Sequence, residues 1–66
     1  MKPIYPEILV PLTGEDTNAF AILGRCQRHA RRAGLSKQQI ELFLDEAVQG
    51  NYEALLATVR RWFSTS

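Results

Sequence analysis

Four arginines and the single histidine crowd into eight positions of this chain, as Arg25, Arg28, His29, Arg31 and Arg32. Guanidinium groups repeated at helical spacing can bind successive phosphates, each adding an increment of salt-dependent affinity. The same stretch lacks lysine and any interleaved aromatic ring for base stacking. Gln27, at its edge, is the one amide that could read a base. The simpler account is a water-facing helix side that answers acidic residues elsewhere.

The other reactive groups are scattered. Cys26 is the only cysteine and falls among apolar positions, so it reads as a small buried hydrophobe and forms no internal disulfide. His29 has no serine, cysteine or second histidine arranged around it, and one Cys with one His makes no zinc set. In "GEDTNAF", Glu15, Asp16 and Asn18 offer oxygen atoms. A calcium loop would need further ligands where Ala19, Phe20 and Ala21 stand, so the segment reads as a helix start. Glu41, Asp45 and Glu46 read as the outward side of a helix. Nothing assembles a nucleophile, a base and an oxyanion donor, and the expectation is a non-enzyme with no cofactor and no metal.

These groups must be carried by very little protein. Sixty-six residues make one domain near the lower limit for a core of its own. Apolar residues are 45% and charged residues 23%, which is globular composition. With no disulfide or metal to help, self-association is one route to extra stability. Net charge is +1, so no global field pulls the chain to nucleic acid or membrane. No apolar run is long enough for a bilayer span or a secretory signal, and the expectation is a cytoplasmic protein with a reduced thiol.

Residues 1–15 read as an extended arm, since Pro3, Pro6 and Pro11 exclude helix. If Glu7–Leu12 is a strand it is an edge strand, pairing either with the C-terminal "WFSTS" or with a second copy. Three amphipathic helices are expected over 17–33, 36–49 and 51–63. In the first, Ala19, Ile22, Leu23, Cys26, Ala30 and Ala33 form the apolar stripe, with Arg25, Arg28 and Arg32 opposite and Gly34 as the left-handed stop. Ser36 with Gln39 makes a capping box for the second, whose stripe is Ile40, Phe43, Leu44, Ala47 and Val48. Asn51 caps the third, where Tyr52, Leu55, Leu56, Val59 and Phe63 repeat the spacing. That stripe leaves Glu53, Ala57, Arg60 and Arg61 outward, a poor base-reading surface for a helix-turn-helix. Such helices are unstable singly and must share one core.

"LTGEDTNAFAILGR", then "RRAG", then the Phe43…Gly50-Asn51-Tyr52…Trp62 pattern resembles a group of short uncharacterised bacterial, archaeal and phage proteins. In that group a G-x-D-x-N-A-F segment opens the first helix and a Gly-(Asp/Asn)-Tyr turn opens the last. The resemblance runs from about Leu12 to Trp62 and implies the helical frame, but no activity. A looser likeness is to ubiquitin-associated three-helix modules, which bind partners with a Met-Gly-Phe loop and the last helix. Here Ala33-Gly34-Leu35 would take the loop's place and Gly50-Asn51 the later turn, with Ala33 for Met and Leu35 for Phe.

The fold class expected is therefore mainly α, a compact three-helix domain behind an extended, short-β N-terminal arm. The function expected is a small protein-interaction or accessory role, homodimeric or with another protein and without a membrane. Leu42, opposite its core stripe, Phe20 and Trp62, at stripe edges, and Tyr5 and Ile8, on an arm with no evident core slot, are the candidate interface. The other reading of the arm is that it lids the three-helix core. The alternative is a nucleic-acid accessory protein whose Arg25, Arg28, Arg31 and Arg32 touch phosphates without reading sequence.

Overall fold

Each helix begins one residue after a polar side chain that caps it. In the computed structural model, which describes residues 2–66, α1 spans Ala19–Arg32, α2 Lys37–Ala47 and α3 Tyr52–Trp62. Asn18 accepts from the Phe20 amide and Asn51 from that of Ala54, so each supplies an oxygen to orphan N–H groups of the first turn. Ser36 accepts from the Gln39 amide while the Gln39 side chain accepts from the Ser36 amide, a complete capping box. Gly34 turns the chain out of α1 at φ 100°, a conformation glycine reaches without strain. Gly50 serves differently. A Cβ there would lie 2.7 Å from the Ala54 Cβ, so the turn into α3 is too tight for any side chain.

The ends of the chain meet. β1, Tyr5–Val10, pairs in parallel with β2, Phe63–Thr65, so the arm is bound by its own C-terminal segment. The expected strand lies two residues earlier than the sequence suggested, and α3 gives up Phe63 to β2. Tyr5 aligns with Phe63 and Leu9 with Ser64, so β1 holds surplus residues between its two paired stretches. Pro6 lies in that bulge, where its missing N–H costs no ladder bond. The Ser64 hydroxyl donates to the Pro6 carbonyl at 2.6 Å and closes the irregular stretch. The pairing is prolonged by the Ile4 amide on the Arg61 carbonyl and the Thr13 amide on the Ser66 carbonyl.

One core lies between the helices and the strand pair. Val10, Ile22, Cys26, Phe43, Val59 and Phe63 are sealed at its centre. The Phe43 ring meets Trp62 and Phe63 edge-on, with centroids 5.5 and 5.0 Å away, the arrangement aromatic quadrupoles favour. Tyr5 covers this cluster from outside, 5.9 Å from Trp62 and 6.3 Å from Phe63. Bulging restores the alternation, so that Tyr5, Ile8 and Val10 all turn inward while Leu9 turns out.

Candidate functional site

Arg25 does not stand in the outward row. Its residue is only 5% exposed, and Nη2 donates to the Asp16 carbonyl at 2.8 Å while Nε lies 3.8 Å from Glu15. The guanidinium folds back along α1 and holds the loop that leads into it, with Nη1 buried and without a partner among the described residues. Arg25 thus leaves the candidate phosphate set for a positioning role. Helical spacing misplaced it because Arg25 projects from the flank of the apolar stripe and a long stem can bury there. Glu15 and Asp16, nine or ten residues upstream, were the available signal.

Arg28, Arg31 and Arg32 remain exposed and make no ion pair among the described residues. With Gln27 they surround a shallow hollow of about 450 Å³ that opens at Gly24. Three basic side chains also suit the negative end of the α1 dipole, where His29, Arg31 and Arg32 occupy the last turn.

Cys26 has no accessible surface, and burial pushes its thiol up to about 12 from 9.0, outweighing the opposite pull of Arg25. Such a thiol offers no thiolate for chemistry at neutral pH. Among the described residues no cluster of three or more His, Cys, Asp or Glu is placed to hold a metal ion.

The apolar candidates divide. Phe20 is 85% and Leu42 62% exposed. Ile8 and Trp62 are core, which corrects their assignment to free surface, and Tyr5 is half-buried. Pairing of β1 with β2 created the core slot that the arm lacked in the sequence. Tyr5 also accepts from Gln39 Nε2 at 3.0 Å, and Trp62 Nε1 donates to Glu46 at 3.1 Å. Glu46, also paired with Arg61, therefore leaves the outward acidic face and holds α2 to α3. Glu41 and Asp45 keep that face, with Gln38, around Leu42.

Two residues that spacing placed inside are outside. Val48 is 62% exposed because α2 ends at Ala47, and Tyr52 is exposed because it is the first residue of α3. Both fall on the apolar stripes by count, yet neither lies within a helix long enough to bury it. With Phe20, Leu23 and Leu55 they line an apolar depression of about 270 Å³ between the start of α1 and the α2–α3 turn. Tyr52 spans it, donating its hydroxyl proton to the Thr17 carbonyl at 2.6 Å. Ala33, also expected inside, is exposed.

No family model matches the chain, and no curated protein or solved structure matches it.

Proposed function

We propose that this chain is a non-catalytic interaction or accessory module that docks another protein on the Phe20–Val48–Tyr52 depression. The observation that carries the reading is Phe20, 85% exposed and adjoining Val48 and Tyr52 in one apolar concavity. Isolated apolar groups in water are ordinary, whereas three around one depression resemble the centre of an interface. Burying a ring such as Phe20 contributes about 1.5–3 kcal/mol to a complex, and contacts around it must supply the rest, because association itself costs several kcal/mol. No charged side chain lines the depression; Glu53 beside Tyr52 is acidic and exposed, while Arg25, two residues from Leu23, is buried. The partner that fits is an apolar protein segment with basic flanks.

Non-catalytic action is supported by the buried thiol and by the dispersal of the remaining reactive groups. The absence of any helix long and apolar enough to cross a membrane, among the described residues, removes one mode of membrane attachment. A cytoplasmic setting is consistent with the lone unpaired cysteine. The second reading, phosphate contact through α1, rests on the exposed Arg28, Arg31 and Arg32 and has lost Arg25.

A photo-crosslinking residue placed at Phe20, with a control at Lys37, tests the docking reading in cells. A discrete protein adduct from position 20 only, lost when Val48→Ser and Tyr52→Ser are added, is expected. No adduct at position 20, or the same adduct from both positions, would end it.

A further inference from the structure

α1 and α2 each turn one side away from the core, and the two sides are complements. On α1, Gln27, Arg28, Arg31 and Arg32 surround the hollow at Gly24. A Cβ at Gly24 would lie in van der Waals contact with the Arg28 guanidinium at 3.7 Å, so the floor is backbone with that one flexible side chain lying over it. On α2, Leu42 projects into water at the middle of Gln38, Glu41 and Asp45. One side is an exposed leucine among carboxylates, the other a glycine among arginines.

Spacing matches as well as charge. Glu41 and Asp45 are four residues apart, as are Arg28 and Arg32, so both pairs span one helical turn, about 6 Å. Within one molecule the two sides stay apart. Leu42 lies opposite the buried Phe43 and Ala47 stripe of α2, and Arg28 opposite the buried Cys26 and Ala30 stripe of α1.

We propose that these sides are the two halves of one self-association contact. Leu42 of one copy seats over Gly24 of another, and its Glu41 and Asp45 pair with the other's Arg28, Arg31 and Arg32. A second copy fits better than a polyanion. The chain itself carries the matching acid, its net charge of +1 gives little general pull on nucleic acid, and no aromatic ring lines the hollow to stack a base. Phe20 stands one turn before Gly24 on α1, so the two surfaces adjoin, and the charge-exchanged variants, which leave the lining of the Phe20 depression unchanged, tell the two assignments apart.

Exposed ion pairs are individually weak and screened by salt, so the contact shows itself at high protein concentration and low ionic strength. Sedimentation velocity of the intact chain at micromolar and millimolar concentration, in low and high salt, is the test. The expected result is a species of twice the 7.5 kDa chain mass, or larger if the contact repeats head to tail. High salt should weaken association at least about tenfold, and Leu42→Ser by about ten- to hundredfold. Charge exchange makes the test specific. Arg28→Glu/Arg31→Glu/Arg32→Glu and Glu41→Lys/Asp45→Lys should each be monomeric alone and associate when mixed, because every facing pair is then again opposite in sign.

A wild-type chain that is monomeric at every concentration and salt overturns the proposal, whether or not the variants fold. So does association indifferent to salt, or a mixture of well-folded exchanged variants no heavier than its parts. Retention of duplex DNA by a monomeric wild type, lost in Arg28→Glu/Arg31→Glu/Arg32→Glu, would give the basic side to phosphates instead.

Discussion

The two ends of the helical core use aromatic residues in opposite ways. At one, Tyr5, Phe43, Trp62 and Phe63 are stacked and closed over by the pairing of β1 with β2. At the other, Phe20 and Tyr52 line an open depression and stay exposed, with only the Tyr52 hydroxyl tied down, to the Thr17 carbonyl. The difference is supplied by the proline-stiffened arm, which can cover only the end at which the C-terminus emerges. What is apolar at the covered end contributes to folding, and what is apolar at the open end stays in water.

The strongest challenge to this contrast is Phe43→Ala. Removing the ring that both Trp62 and Phe63 face should cost about 3–5 kcal/mol. A domain of this size holds roughly 3–10 kcal/mol in all, at about 0.05–0.15 kcal/mol per residue. Urea denaturation should then show about a third or more of the stability gone, and thermal melting a midpoint lower by at least about 12 °C. An effect below about 1 kcal/mol would mean that the covered end is not the structural one.

Alkaline pH gives the next largest effect. The Cys26 thiol stays protonated to about 12 in the folded chain, against 9.0 when free, so between these values the unfolded state alone loses the proton. Stability contributed by Cys26 is fully present below pH 9 and falls by about 1.4 kcal/mol for each unit above it. Cys26→Ala should flatten this part of the pH–stability curve, measured by denaturation at a series of pH values. An unchanged curve would show that the thiol is not sealed.

Arg25 and Arg28 test whether two arginines one turn apart differ as their surroundings do. Arg25→Ala should cost about 1–3 kcal/mol, since the Asp16 carbonyl loses a charged donor. Arg28→Ala should stay within about 0.5 kcal/mol. Equal losses in denaturant melts would restore Arg25 to the outward row. At the open end, Tyr52→Phe removes the bond to the Thr17 carbonyl and should cost about 0.5–1.5 kcal/mol. Phe20→Ser, smallest of all, should leave the melting curve within about 0.5 kcal/mol of wild type. A large loss there would make the open end part of the fold.

The helices were legible because their signals are local. Asn18, Ser36 with Gln39, and Asn51 act within three residues of where they stand, and Gly34 stops α1 by its own conformation. Parts that depend on reach or on distant chain were not. Spacing treats a side chain as a direction from the helix axis, which hides how far Arg25 travels back to Asp16. Val48 and Tyr52 followed the apolar count beyond the place where helix burial ends. The candidate interface suffered most from this. Pairing of the arm with "WFSTS" was one of two routes open to the sequence, and Ile8 and Trp62 stayed unplaced because nothing local chooses between that and a second copy.

That partnership also governs how the molecule bears tension. Because β1 and β2 run the same way, the N-terminus leaves from the start of one strand and the C-terminus from the far end of the other. A stretching force on the two termini therefore slides the strands lengthwise, straining the bonds from Ile4–Arg61 to Thr13–Ser66 together rather than peeling them in turn. The shortest element of the fold is thus its mechanical latch, and the helices behind it feel no pull until it slips.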